Sequence, residues 1–227
     1  MDEGIELYGQ AGTLCYALAV QNGGIPDTSD FDGDKAVAGR VGWDPAPWLH
    51  LSASGMRTGD LDVKNDQMSA MWFGNGFFRS LGSANTTKFH AVLAEGDVEI
   101  RLPHGHLGAF GGYSHYGDND PTANNRRDLY YYSVEGVHDV FGKLYAAARF
   151  SQIFAPKGFP VVADGTFGEY FFGDLTEQIW RLSLGAGYRC SRNLVLKAEY
   201  TLEGGRTVGG EHRDHENLFA LEAAFRF

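Results

Sequence analysis

The sequence predicts an all-β protein, built as an antiparallel up-and-down β-barrel of which about ten or eleven strands are visible. Three observations predict this fold class. Apolar and polar residues alternate with a period of two over many segments, as in strands that have one apolar face. No apolar run approaches the roughly 18 to 20 residues that a membrane-spanning helix requires. The connections between these segments alternate between short and long.

The alternation is clearest near the C-terminus. Apolar side chains occupy every second position from Leu194 to Leu202, and Lys197, Glu199 and Thr201 lie between them. Residues 180–188 and 219–227 repeat the pattern. Similar segments lie upstream, at residues 35–43, 48–57, 86–102, 106–116, 129–138 and 143–151. Each of these segments is long enough to form one strand of a meander.

The connections differ in length in a regular order. Short turns are expected at residues 44–47, 103–105, 139–142 and 190–192, and long polar connections at 23–34, 59–85, 117–127, 152–176 and 204–216. Barrels of outer membranes have short turns at one rim and long loops at the other. Strands of roughly 9 to 11 residues also suit a tilted crossing of the hydrocarbon layer. The sequence therefore predicts a transmembrane barrel.

Residues 5–22 allow two strand counts. If residues 11–13 form a turn, the segment holds two strands and the chain has about eleven. If it is one long strand with a glycine kink, the chain has about ten. Gly9 and Gly12 flank a change of register in the apolar pattern, which favours the first interpretation.

Aromatic residues gather at the strand ends, as expected of the interfacial rows that flank the lipid-facing surface of a barrel. Trp43 and Trp48 flank a short turn, residues 130–132 are three tyrosines at the other rim, and Tyr188 and Phe227 lie near the short-turn side. We therefore expect the apolar side chains to face lipid and the polar side chains to surround an aqueous lumen.

Charge and cysteine content exclude other classes of protein. The net charge is −10, and the longest basic run is the pair Arg126–Arg127, so the chain offers no footprint for nucleic acid. Cys15 and Cys190 form neither a metal-binding pair nor a disulfide framework. No cofactor, metal site or catalytic residue is expected.

Several segments resemble Gram-negative outer-membrane porins of the phosphate-selective type. They are GIELYG at residues 4–9, YALAVQNG at 16–23, DGDKAVAGR at 32–40, KLYAAARF at 143–150 and LEAAFRF at 221–227. The resemblance implies a porin of 16 or 18 strands, located in the bacterial outer membrane. Residues 1–227 would form a single β-barrel domain that lacks its N-terminal part. Porins of this type are commonly trimers, so a homotrimer is also expected.

The resemblance does not extend to phosphate selectivity. Phosphate-selective members use clustered lysines and an arginine ladder, whereas this chain has only 6 Lys, widely spaced, against 13 Arg. The function expected is a water-filled channel for passive diffusion of small polar or charged solutes, anionic solutes included.

The polar positions of the strands supply the candidate pore-lining residues. They carry both signs of charge, which would hydrate the lumen and give a weak ion preference. The candidates are Arg40, Glu99, Arg101, Glu135, Lys143, Arg149, Arg181, Arg189, Lys197, Glu199, Glu222 and Arg226. Residues 59–85, rich in Met, Trp and Phe, are expected either to fold into the barrel as a constriction or to pack on its rim.

Two other functions compete with the channel. One is an outer-membrane barrel whose long loops carry an enzymatic or adhesive activity, and the other is a soluble β-protein that binds a ligand. Chemical motifs are weak: His50 alternates with Ser52 and Ser54 but spacing fixes no carboxylate beside it, and the charged run 211–216 lies in a polar loop. The sequence therefore favours a non-enzymatic channel.

Overall fold

The computed structural model describes residues 4–22, 34–62, 85–159, 175–213 and 217–225. In these ranges the chain forms thirteen β-strands of one antiparallel sheet. They are β1 Gly4–Ala11, β2 Leu14–Gln21, β3 Ala36–Ala46, β4 Leu49–Arg57, β5 Leu61–Asp62, β6 Lys88–Leu102, β7 Gly105–Asp118, β8 Arg127–Phe141, β9 Leu144–Phe159, β10 Thr176–Arg189, β11 Leu194–Thr207, β12 His212–Arg213 and β13 Leu218–Phe225. The described part of the chain has no helix long and apolar enough to span a membrane.

The sheet is an up-and-down meander. Each long strand pairs with the next one in the sequence, while β4 and the short β5 both pair with β6, and β12 and β13 both pair with β11. Counted this way, the described residues form eleven antiparallel strands, which confirms the predicted fold class. Among them, β1 and β13 have no recorded pairing with each other, so the sheet is open.

Short turns join the strands at one end of the sheet. The first is Gly12–Thr13, which separates β1 from β2 and confirms the eleven-strand interpretation of residues 5–22. Gly12 and Gly142 have φ angles of 64° and 56°, a region that glycine enters without steric cost. Trp48 and Lys143, which were predicted to begin strands, lie instead in the turns before β4 and β9.

The register places most of the large apolar side chains of the long strands on one face. In β10, Leu184 pairs with Ala148 of β9 and Tyr200 of β11, and the apolar row continues to Phe219 of β13. At the other edge, Ile5 pairs with Val20. Side chains of this face are exposed, for example 40% for Val20, 50% for Leu184 and 80% for Ile5. This face is called the apolar face below.

The buried side chains belong to the opposite face, called the polar face. They include small hydroxyl residues such as Ser133, Ser183 and Thr201, together with Ala91 and Ile179. A soluble β-protein shows the reverse distribution, because its apolar face is buried in the core. The arrangement is therefore inside out relative to a soluble β-barrel.

Side chains of the polar face converge, as on the inner surface of a curved sheet. Arg40 of β3 reaches Asp97 of β6 across β4, and Tyr131 of β8 reaches Glu95 of β6 across β7. One cavity of about 380 Å³ takes lining side chains from strands as far apart as β1 and β8, including Glu6 and Tyr131. The polar face is therefore concave, and the apolar face is its convex outside.

Several strands extend further than the alternation predicts, and β9 and β11 are two of them. β9 continues to Phe159 and β11 to Thr207, into segments predicted as long connections. Near the end of β9 the polar face carries the buried Ala155, so apolar residues occupy both faces and the period of two is lost. In β11, a Cβ on Gly204 would lie 2.7 Å from the Trp180 ring, so this glycine makes room for an aromatic side chain on the neighbouring strand.

Candidate functional site

The candidate site is the concave polar face. The register places most of the predicted pore-lining residues on it, namely Arg40, Glu99, Arg101, Glu135, Arg149, Arg181, Arg189, Lys197, Glu199 and Glu222. Lys143 lies in a turn, where its Nζ donates a hydrogen bond of 2.8 Å to the carbonyl oxygen of Cys190. Arg226 lies outside the described residues.

In the N-terminal half, one carboxylate accepts hydrogen bonds from two strands. Asp97 of β6 accepts hydrogen bonds from the Arg40 guanidinium, at 3.2 Å, and from the Ser52 hydroxyl. Nearer the short turns, Arg101 Nε contacts Glu99 Oε1 at 2.9 Å. Both pairs join side chains of the polar face to one another.

Three further ion pairs cross the strands on the polar face of the C-terminal half. Arg181 of β10 donates to Glu203 of β11, whose side chain is only 3% exposed. Lys197 of β11 contacts Glu222 of β13 at 3.0 Å. At the short-turn end, Arg189 contacts Asp139 at 2.6 Å. Five predicted residues thus take part in ion pairs between neighbouring or next-neighbouring strands.

Other charges on this face have no recorded ion pair with another described residue. They are the carboxylates of Glu6, Glu135 and Glu199 and the guanidinium of Arg149. Glu199 accepts a hydrogen bond from the Thr201 hydroxyl at 3.1 Å, and a fourth carboxylate, Glu95, accepts one from the Tyr131 hydroxyl at 2.9 Å. Beyond the ion pairs, carboxylates therefore outnumber cations on the described wall.

The polar face becomes apolar toward the long connections. Leu61, Phe89, Ala91 and Tyr116 form a buried cluster there, each 8% exposed or less. Leu93, Leu129, Phe159 and Leu175 pack against it. Sequence reasoning missed this cluster, although a signal was present: Phe89, Ala91 and Leu93 occupy positions of β6 that face the same side as its charged residues. The space beside this end of the wall is filled by side chains.

The connection between β7 and β8 is organised by Asp120. Its carboxylate accepts hydrogen bonds from the Thr122 hydroxyl and backbone N–H, both at 2.7 Å, and from the backbone N–H of Asn85 at 3.0 Å. The bonds from Thr122 and Asn85 hold the pKa of Asp120 well below its ordinary value. Just before β3, the Asp34 carboxylate accepts a hydrogen bond from the backbone N–H of Asp60, and this bond likewise lowers the pKa of Asp34.

The weaker chemical candidates resolve in different ways. His50 does have a carboxylate beside it, since its Nδ1 lies 2.9 Å from Asp44 Oδ1. Sequence spacing could not reveal this contact, because a bulge in β3 turns Asp44 toward β4. In the described ranges, no group of three or more His, Cys, Asp or Glu side chains could hold a metal ion. Part of the charged run 211–216 lies outside those ranges.

Comparison with known proteins identifies the fold. No protein-family model matches the sequence, and no curated protein matches it. Among solved structures, the outer membrane channel DcaP of Acinetobacter baumannii superposes with a TM-score of 0.65 and 15% identity, over 100% of this chain and 62% of that one. A porin refined at 1.8 Å gives a TM-score of 0.62 and 11% identity, over 99% and 61% of the two chains.

An anion-selective porin from Comamonas acidovorans gives a TM-score of 0.59 with 9% identity, over 96% of this chain and 57% of that one. The chain thus spans about three-fifths of the length of the structures that it matches. Identities this low establish the fold alone. The open, inside-out meander described above therefore has the fold of the β-barrel walls of these outer-membrane channels and porins.

Proposed function

We propose that this chain forms the wall of a water-filled channel in the bacterial outer membrane, through which small polar or charged solutes diffuse passively. The observation that carries the proposal is the exposure of the apolar face. Its side chains form continuous rows across the sheet, and Ile5 and Leu221 near its two edges are 80% and 73% exposed. Soluble monomers rarely expose contiguous apolar patches larger than a few hundred Å². Acyl chains are the solvent that suits such a face.

The ends of the apolar face support the same orientation. Trp43, Trp48 and Tyr188 lie near the short turns, and Tyr130 and Tyr132 lie toward the long connections. Each is roughly half exposed, and Tyr132 donates a hydrogen bond to Gln152. Aromatic side chains with one polar end favour the two membrane interfaces, which supports outer-membrane lipid as the partner of this surface.

The polar face supports a hydrated lumen with little specificity. Its ion pairs span neighbouring strands and leave cavities of about 380 and 290 Å³ against the wall, which are large enough for several water molecules. Carboxylates exceed cations among the unpaired side chains, so the described wall favours cations weakly. The expectation of anionic solutes has no support in these residues. The buried cluster around Phe89 supports a narrower, less polar passage at the long-connection end.

Two expectations stay predictions. A homotrimer would need a subunit contact on the apolar face, and no described feature selects one. An enzymatic or adhesive activity would reside in the long loops, and most of residues 59–85 and 152–176 lie outside the described ranges.

Conductance across a planar lipid bilayer tests the proposed channel. The protein is refolded in detergent, its fold is checked by heat-modifiable electrophoretic mobility, and it is added to one side of the bilayer. We expect discrete, long-lived conductance steps, and the same amount of heat-denatured protein should give none. Correctly folded protein that inserts without conducting would refute the channel and favour a barrel with a filled interior.

A further inference from the structure

A vacant position on the polar face, near the short turns, brings a thiol and an imidazole together. Cys15 of β2 pairs with Gly42 of β3, and Gly42 pairs with Ser52 of β4. A Cβ built on Gly42 would lie 2.6 Å from Cys15 Sγ and 3.3 Å from His50 Cε1, with His50 Nε2 at 3.8 Å. Because glycine has no side chain, Sγ and the imidazole edge both border this unfilled position.

Asp44 orients the imidazole. Its carboxylate lies 2.9 Å from His50 Nδ1, and a carboxylate can only accept a hydrogen bond, so Nδ1 carries the proton in the neutral ring. Nε2 is then the unprotonated nitrogen, and it belongs to the ring edge that borders the vacant position. A nucleophile, a base and a group that orients the base are the components of an activated thiol.

The Cys15 thiol is accessible, and charged groups lie close to the His50 imidazole. Cys15 is exposed, and the His50 and Asp44 side chains are 21% and 49% exposed. The other titratable neighbours come from β6: Glu99 pairs with His50 in register, and Arg101 contacts Glu99. Of these charged groups, Asp44 makes the direct contact with His50.

The backbone around the thiol decides which chemistry suits it. Cys15 lies inside a strand that pairs on both sides, with Gln10 of β1 and Gly42 of β3, so ladder hydrogen bonds occupy the local backbone N–H groups. Acyl transfer needs free N–H donors for the oxyanion that forms. Thiol–disulfide exchange develops no such oxyanion and needs only a thiolate, a base and access.

We propose that Cys15, His50 and Asp44 form a thiol–imidazole–carboxylate site that exchanges with small disulfides entering from the short-turn side. Cys15 Sγ attacks one sulfur of the disulfide as its proton passes to His50 Nε2. The disulfide S–S bond breaks, a mixed disulfide forms at Cys15, and the second sulfur leaves as a thiolate that the imidazolium can protonate. The disulfide itself supplies the oxidising equivalents. Cys15 is the reacting residue, His50 activates its thiol, and Asp44 orients the His50 imidazole.

The test measures exchange of the full refolded chain with a small aromatic disulfide that releases a coloured thiolate. All variants carry C190S, so that Cys15 is the only thiol, and each rate at pH 7 is divided by the rate of the same variant at pH 10 to cancel differences in access. An ordinary thiol is about 3% thiolate at pH 7, which gives a ratio of about 0.03. We expect a ratio of about 0.3 or higher.

His50→Asn should return the ratio to about 0.03, and Asp44→Asn should lower it several-fold. The matched control is His104→Asn, which removes a histidine from another short turn and should leave the ratio unchanged. A ratio near 0.03 in the C190S protein would overturn the proposal without any further variant. An unchanged ratio in a folded His50→Asn protein would also overturn it, because the imidazole would then have no part in the reaction.

Discussion

Two adjacent alanines of β9 allow the assignment of the two faces to be tested at one membrane depth. Ala148 pairs with Leu184 on the exposed apolar face, and Ala147 pairs with Gly185 on the polar face. Along β10, Leu184 lies midway between Trp180 and Tyr188, the aromatic residues at either end of the apolar row. With about 3.3 Å per residue and a tilt of about 40°, this row spans about 20 Å of the roughly 25 Å apolar band. Both alanines therefore lie near the bilayer midplane.

Ala148→Arg should reduce the free energy of unfolding in a bilayer by about 2–4 kcal/mol, the cost of a lipid-facing Arg at this depth. This corresponds to a roughly 30-fold to 900-fold change in the folding equilibrium. Ala147→Arg should cost less than about 1 kcal/mol. Ala147 borders cavities of about 290 and 110 Å³, and Glu135 and Glu199 are among the residues that line the smaller one.

The assay is reversible urea unfolding in lipid vesicles, followed by tryptophan fluorescence and checked by heat-modifiable mobility. The two variants have the same composition, charge and strand, so their difference reports only the direction of one side chain. Equal destabilisation, or a larger loss for Ala147→Arg, would show that the apolar face does not contact lipid. The proposed function would then fail with it.

Three further predictions concern charges. Glu135→Gln combined with Glu199→Gln should lower the potassium-to-chloride permeability ratio by roughly twofold, read from the reversal potential in a KCl gradient; an unchanged ratio would contradict a cation preference from these residues. Arg181→Gln should cost about 2 kcal/mol, because it removes the half-exposed Arg181 cation that pairs with the buried Glu203 carboxylate. Adding Glu203→Gln should restore part of this loss in a double-mutant cycle, and strict additivity would contradict coupling. The lowered pKa of Asp120 means that its contribution is complete at neutral pH and is lost only as the pH falls through that lowered value. Amide protection in residues 119–126 should therefore persist at pH 3 and be lost at neutral pH in Asp120→Asn, as hydrogen exchange would show.

The alternation predicted the fold where the two faces differ in polarity, and it failed where they do not. Residues 180–188 and 194–202 were placed in strands because apolar and polar residues alternate in them. Leu184 lies on the apolar face, for example, and Lys197 on the polar face. The last residues of β9 were missed because the buried Ala155 lies on the polar face, so both faces of the strand are apolar there. The long strand β9 thus loses the alternation signal at the end where the polar face carries apolar side chains.

Individual contacts of the site were less accessible to sequence reasoning. Predicting that Arg40 and Glu99 share a face requires only parity within their strands. Pairing Arg40 with Asp97 requires the register of three strands, which side-chain pattern alone does not specify. The contact between His50 and Asp44 depends on a bulge in β3. Bulges shift the alternation locally, and no particular amino-acid composition marks them in the sequence.

The sequence by itself determined the class of the protein: alternation, turn residues and alternating connection lengths specify a meander with one apolar and one polar face. These are local properties, set by the period of two within each strand and by the chemistry of each turn. Only the tertiary structure decided which face is concave, which charges are paired, and that Cys15 and His50 both border Gly42. Those outcomes depend on register and curvature, which arise from the packing of strands distant in the sequence.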